Sequence, residues 1–185
     1  MDIVEQGLAR AREELAHLPG GIERATGRAL KRAVTKARTE SVRIVRTQYT
    51  IKAATARNDM KIQRYSGVLE VKGYTHKLTE FSVNPRRPTP KRRAPIKVQV
   101  RRTGGKTISR AFVAGAFNDS YASGGTGVYM RRTSKRRPLD ELYGPSVPGM
   151  LSNPEHRLQI ETVMGEEFVN RLSHEAGNIL GGVTR

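Results

Sequence analysis

Four histidines and a few scattered carboxylates are the side chains that could carry acid–base or metal chemistry. The histidines are His17, His76, His156 and His174, and none of them forms an HExxH or HxH pair. His156 and His174 share one face of a predicted helix, but about 27 Å of helix would separate them, too far for one metal ion. We therefore predict packing or surface roles for all four.

The remaining chemical motifs are also incomplete. Asp119, Asp140 and Glu141 could act as acids, yet no base or metal partner stands at a recognisable spacing. The chain has no cysteine, which excludes disulfides, zinc–thiolate sites and cysteine nucleophiles. TGGKTIS (103–109) has Val100 where a phosphate loop requires glycine, so alternation on both sides favours a hairpin turn. The sequence predicts no enzyme, metal site or cofactor.

Charge is the strongest signal in the composition. The 185 residues carry a formal net charge of +17. Residues 21–110 hold 24 basic and five acidic side chains, whereas residues 138–185 hold three basic and seven acidic ones. This polarity predicts contact with a polyanion or head-to-tail self-assembly. No run of 18 apolar residues suggests a membrane span, and no apolar signal core opens the chain, so synthesis in a cytosol is expected.

Apolar periodicity predicts helices at both ends of the chain. A short amphipathic helix is expected over 2–18, and a longer one over 22–47 with basic side chains on its outer face. A further short helix is expected around 53–64. A last helix should begin at Pro154, with Ser152 or Asn153 as its cap, and end at Gly181-Gly182.

Between these helices the pattern changes to strands and turns. Candidate strands lie at 67–71, 81–83 and 96–100, and the return strand begins with Ile108 and Phe112. Residues 111–133 suggest another hairpin. The segment NPRRPTPKRRAP (84–95) should be a projecting loop or arm, because proline breaks β-ladders and like charges repel.

This order of elements indicates an α+β fold. Long N-terminal helices and a C-terminal helix should pack on a small antiparallel sheet. We expect residues 1–20 to form a helical extension and residues 21–182 a single domain.

A basic protein that binds DNA or RNA non-specifically is the alternative function. No RNP aromatic pair, GxxG loop, zinc-finger spacing or clear helix-turn-helix is present, which disfavours sequence-specific recognition.

Several segments, in order, resemble the minor tail protein Z family of long-tailed bacteriophages and prophages. They are the Ala/Arg-rich helix running into RTQYTIKAATARNDMKIQR (46–64), RAFVAGAF (110–117), VYMRR (128–132) and RRPLDELYGPSVPGML (136–151). The most specific part is Pro138-Leu139 followed by LYGPSVP and Met150. The resemblance spans roughly residues 20–180.

The resemblance implies a structural component of the virion, located at the head-proximal end of the tail, in the neck. It implies tail completion and head–tail joining by a homo-oligomeric ring around the DNA channel, six-fold by analogy. Expected partners are a tail terminator, a head-completion or connector protein, and non-specifically the genomic DNA. The protein would pass through the host cytoplasm during assembly, with no membrane association.

Three sets of side chains are the candidate contacts. The apolar, turn-rich stretch DELYGPSVPGM (140–150) either lies between subunits or folds back on its own core, and Gly144 should supply a turn closed to other residues. The interface set is Leu142, Tyr143, Gly144, Pro145, Val147, Pro148 and Met150. The basic arm, facing DNA or an adjacent ring, is Arg86, Arg87, Lys91, Arg92 and Arg93. The acidic set, for docking on a neighbour's basic helix, is Glu161, Glu166, Glu167 and Glu175.

Overall fold

Small side chains at regular spacing explain the first long helix. The computed structural model describes residues 3–63, 66–88, 95–115 and 126–183. Within it, helix α2 (Gly21–Gln48) carries alanines at positions 25, 29, 33 and 37, all completely buried. A four-residue repeat keeps these positions on one helical face, and methyl side chains let a neighbouring helix approach closely. The helix predicted over 22–47 is confirmed.

Two further helices pack with the first part of α2. They are α1 (Ile3–Glu14) and α5 (Pro154–Val183). One apolar cluster joins all three, and its buried members are Ala11, Leu15, Ala25, Ala29, Ala33, Phe168, Leu172 and Ala176. The side chain of Asn153 caps α5 by accepting the backbone N–H of Glu155 at 3.0 Å, as the sequence predicts.

The strands of the described residues belong to three small antiparallel sheets. The first pairs β1 (Met60–Gln63) with β2 (Val68–Val71). The second has the order β3 (Ser82–Asn84), β4 (Ile96–Gln99) and β5 (Lys106–Ile108). The third has the order β6 (Ala111–Ala114), β7 (Gly127–Arg131) and β8 (Leu139–Glu141). The α+β class is confirmed, with several small sheets where the sequence suggested one.

The chain divides into two compact units. The first consists of Met1–Arg43, Met60–Val71 and Leu151–Arg185, and contains the three-helix cluster and the β1–β2 hairpin. The second consists of Ile44–Asp59 and Lys72–Met150, and contains both three-stranded sheets. Within the second unit, Phe81, Ile96 and Val128 are completely buried. The expectation that residues 1–20 form a helical extension to a single domain over 21–182 stays a prediction.

Three element boundaries differ from those predicted. The helix expected over 53–64 ends early: α3 covers Ala53–Asn58, and β1 follows, since Met60 and Ile62 alternate with polar residues and pair with β2. The strand after the 103–106 turn is Lys106–Ile108, and Phe112 belongs to the next sheet. Helix α5 continues through its two glycines to Val183, because glycine in a helix costs only about 1 kcal/mol.

Two shorter elements complete the description. A 3₁₀ turn covers Leu78–Glu80, and a short helix, α4, covers Val147–Met150. No helix among the described residues combines the length and the apolar character needed to cross a bilayer.

Candidate functional site

The positive charge is concentrated in one of the two units. The second unit holds 20 lysines and arginines against five aspartates and glutamates, whereas the first holds 14 against 12. An excess of 15 positive charges therefore belongs to the second unit and an excess of two to the first. A surface that attracts a polyanion is therefore expected in the second unit.

A basic surface of this unit lies at the end of β7 and in the turn that leads to β8. We call residues 131–137, with the sequence RRTSKRR, the basic turn; every residue in it is exposed. One guanidinium nitrogen of Arg131 donates to the carbonyl oxygens of Arg136 and Lys135, at 3.0 and 3.4 Å. The same guanidinium lies 5.4 Å from the centre of the Phe112 ring, within cation–π range.

A second arginine closes the base of the basic turn. Arg132 donates through two nitrogens to the carboxylate of Asp140, at 2.6 and 3.2 Å. This hydrogen bond to Arg132 lowers the pKa of the Asp140 carboxyl below its usual value. Arg131 and Arg132 thus fix the backbone, and the turn presents Lys135 and Arg136 outward, without a carboxylate partner among the described residues.

The sequence interpretation assigned the basic contact to a different segment. Arg86 and Arg87 are exposed beyond β3, as expected of an arm. Lys91, Arg92 and Arg93 lie outside the described residues, so the arm stays a prediction. The basic turn was missed, although five cations in seven residues between a strand and a proline were a visible signal.

The turn-rich segment 140–150 divides into an interior part and an exterior part. Val147 and Met150 fill the interior of the second unit, with exposed fractions of 0% and 2%. The backbone leading to them is bonded to the same unit: Gly144 N–H donates to the His76 carbonyl at 2.7 Å, and Leu78 N–H to the Leu142 carbonyl at 3.4 Å. Of the two predicted alternatives, the structure therefore shows the second for these side chains: both fold back onto the chain's own core.

Gly144 is required for a reason other than the one predicted. Among the described residues, the glycines with positive φ are Gly20, Gly67 and Gly104, so Gly144 does not adopt a left-handed conformation. A Cβ at this position would stand only 2.5 Å from the ring of Phe81, which is completely buried. Close approach to that ring, not turn geometry, excludes a side chain here.

Tyr143 forms the exterior part of the segment. Its side chain is 45% exposed, and its hydroxyl donates to a carboxylate oxygen of Glu141 at 2.6 Å. Tyr143 and Leu142 line an open groove of about 480 Å³ in the second unit. The other apolar walls are Leu78, Val98, Val100 and Ile108, and Arg101 and Lys106 bring positive charge to it. Pro145 and Pro148 follow Leu142 and Tyr143 in the sequence, and both are half-buried.

The acidic residues of α5 have cationic neighbours within their own unit. Glu161 accepts from Arg157 and Glu167 from Arg171, each at 2.8 Å and one helical turn apart. Glu175 accepts from Arg28 of α2 at 3.2 Å. The predicted contact between an acidic and a basic helix thus occurs within the chain at Glu175. Glu166 is exposed, and docking of this face on a neighbouring subunit stays a prediction.

His76 and Glu141, two of the groups that could carry acid–base chemistry, contact charged side chains of their own unit. His76 is buried, with Nδ1 2.6 Å from Glu80 and Nε2 3.0 Å from Asp59, so both ring nitrogens are engaged. Glu141 lies 3.3 Å from the ammonium of Lys77. Asp119 lies outside the described residues. Among the described residues, no group of three or more histidines and carboxylates could hold a metal ion.

Comparison with known proteins gives one match. The family model for prophage minor tail protein Z matches residues 6–184, nearly the whole chain. No curated protein and no solved structure matches the chain. The match extends the resemblance seen in the sequence to the first helix and to the end of the last one. The chain therefore belongs to the prophage minor tail protein Z family, whose members are structural proteins of the phage tail.

Proposed function

We propose that this protein is a non-enzymatic component of the phage neck, forming a ring at the head-proximal end of the tail. The ring completes the tail, joins it to the head and surrounds the DNA channel. Membership of a minor tail protein family supports a role in the virion. Neighbouring partners are then a tail terminator and a head-completion or connector protein, and the protein meets them during assembly in the host cytoplasm.

The separation of charge between the two units carries this proposal. A ring around DNA needs one strongly positive surface toward the phosphates and other surfaces neutral enough to pack against protein. The second unit, with 20 basic and five acidic residues, suits the first requirement, and the nearly balanced first unit suits the second. A protein covering nucleic acid throughout its surface would not need this separation.

The groove beside Tyr143 is the proposed contact between subunits, with a second copy of the chain as its occupant. Its apolar floor and the exposed tyrosine are the features of an interface anchor. Arg101 and Lys106 complement the acidic surface of α5 on the neighbouring copy, where Glu166 is exposed. A contact between two different surfaces of one chain is heterologous, and it closes into a ring when the rotation between copies permits. The number of six copies rests on family analogy.

Replacing one exposed tyrosine tests this contact. Tyr143→Ala should leave the melting temperature close to that of the wild type but reduce ring formation and the yield of joined particles. Tyr74→Ala is the matched control, because Tyr74 belongs to the same unit and is 93% exposed. Electron microscopy of particles from a complemented prophage measures joining. Normal joining with Tyr143→Ala would exclude the groove as the subunit contact.

The alternative, a nucleic-acid-binding protein without a virion role, predicts a different location. Such a protein would be absent from purified particles and would instead accompany host DNA or RNA. Immunoblotting of purified particles separates the two functions.

A further inference from the structure

The basic turn has the construction of a prepared binding element. Its backbone is fixed at one side by the hydrogen bonds from Arg131 to two carbonyl oxygens, and at its base by the Arg132–Asp140 ion pair. A further hydrogen bond within the turn is donated by the Lys135 N–H to the Thr133 hydroxyl at 3.3 Å. Two of its arginines thus serve the backbone and leave the outward cations in a defined position.

The strand register adds another cation to the same end of the sheet. Ala111 lies opposite Met130, so Arg110 reaches the end of the sheet from which the basic turn projects. The acidic residues of β8 do not cancel this charge: Asp140 is engaged by Arg132, and Glu141 lies beside Lys77. A concentrated positive field therefore remains around Arg110, Lys135 and Arg136.

We propose that the basic turn binds the phosphate backbone of double-stranded DNA, independently of its sequence. This inference deepens the proposed function, since it names the element that meets the genome in the channel. The cations lie on a fixed backbone, so binding orders fewer groups than a flexible basic arm would. Each phosphate neutralised also releases counterions from the DNA.

The composition of the turn favours DNA over an acidic protein. Residues 131–137 are arginine, lysine, threonine and serine only. A protein interface needs apolar anchors at its centre, and this surface supplies no such anchor. Contacts to phosphate require only cations, hydroxyls and backbone N–H groups, which the turn does supply.

A pair of double variants with equal charge tests the proposal. Lys135→Ala/Arg136→Ala removes the outward cations of the basic turn. Lys31→Ala/Arg32→Ala removes two exposed cations from α2 in the first unit. Binding of each purified full-length protein to labelled random-sequence duplex DNA is measured by fluorescence anisotropy between about 50 and about 200 mM salt.

The turn variant should bind on the order of tenfold more weakly, and its slope of log affinity against log salt should fall by about two. The DNA affinity of the α2 variant should fall by less than about twofold, as expected when the removed charges lie far from the binding surface. Equal losses in the two variants would show that charge acts diffusely, and would overturn the proposal.

Arg131 is the positioning residue, and a variant that keeps its charge tests that role. Arg131→Lys replaces the planar guanidinium, which donates to both carbonyl oxygens, with an ammonium group that cannot reproduce this geometry. The net charge of the chain is unchanged. DNA affinity and the salt slope should both fall, while the melting temperature changes little because the turn is exposed. An unchanged salt slope would show that ordering of the turn does not contribute to DNA binding.

The DNA-binding experiment tests the basic turn separately from ring formation. Wild-type protein that forms rings but fails to bind DNA at low salt would overturn the role of the turn and leave the ring proposal standing. If the turn variant then also failed to join heads to tails, the turn would be assigned to an acidic protein partner. Wild-type protein that binds DNA through the turn but stays monomeric would overturn the ring alone.

Discussion

The guanidinium of Arg132 is hydrogen-bonded through two nitrogens to the carboxylate of Asp140, with nitrogen–oxygen distances of 2.6 and 3.2 Å. Arg132 lies within the basic turn, just after β7, and Asp140 lies within β8, beyond the other end of the turn. Their contact matters because it fixes the base of a turn whose outer side chains are available to other molecules. It is also sensitive to pH, since the arginine lowers the pKa of Asp140.

Removing the Asp140 carboxylate should change stability only where that carboxylate is ionised. A folded-state pKa below the unfolded value, about 3.9, means that the pair stabilises the fold above about pH 4, and that this contribution is lost as pH falls through the folded pKa. Asp140→Asn should therefore lower the melting temperature at neutral pH, and this deficit should shrink as the pH falls below about 4. Thermal unfolding across this range measures it, with Glu166→Gln as an exposed control. A fall in melting temperature that is the same at every pH would contradict a stabilising ion pair between Arg132 and the Asp140 carboxylate.

Gly144→Ala should destabilise the second unit. The added methyl group would stand 2.5 Å from the buried ring of Phe81, so the ring or the backbone must move. Overpacking of this kind costs about 1–3 kcal/mol. Gly115→Ala is the control, since no atom of the described residues lies within 4 Å of its Cβ position. Equal free energies of unfolding in urea for the two variants would exclude the close approach.

Two residues of the 140–150 segment should separate folding from assembly. Met150→Ala should cost about 2–5 kcal/mol of unfolding free energy, because the side chain is 2% exposed and its removal leaves a cavity. Tyr143→Ala, at an exposed position, should reduce assembly and leave stability nearly unchanged. Chemical denaturation measures the first quantity and light scattering the second. The same pattern of loss in both variants would show that the segment has a single role.

The first helix should contribute to stability and not only extend the chain. Leu15 follows α1 and is almost completely buried in the cluster with Phe168 and Leu172. Leu15→Ala should lower the unfolding free energy by about 2–5 kcal/mol. Ile3→Ala, on an exposed position of α1, should change it little. No loss from Leu15→Ala would support a separable extension over residues 1–20.

The sequence predicted correctly those helices and turns whose signals lie within a few neighbouring residues. The alanine repeat of α2 identified its buried face, and the Asn153 cap located the start of α5. The hairpin turn at 103–106 followed from alternation on both sides of two glycines. The strand β1 was mistaken for helix because its four residues gain their strand character from pairing with β2, which lies beyond a turn.

The candidate surfaces depend on contacts that sequence spacing does not encode. Nothing in the pattern RRTSKRR indicates that Arg131 turns back to the carbonyls of Lys135 and Arg136. The close approach of Gly144 to Phe81 joins residues far apart in the chain. The sequence marked segment 140–150 as apolar and rich in turns. Only the burial of its side chains shows that Val147 and Met150 lie in the interior while Tyr143 does not.

Electron cryomicroscopy of phage particles that carry a tagged form of this chain tests the central claim most directly. We predict a ring of density for the tagged protein at the junction between head and tail, with its basic turns directed toward the DNA in the channel. Particles that lack the protein, or that carry it elsewhere on the tail, would contradict a role in joining the head to the tail.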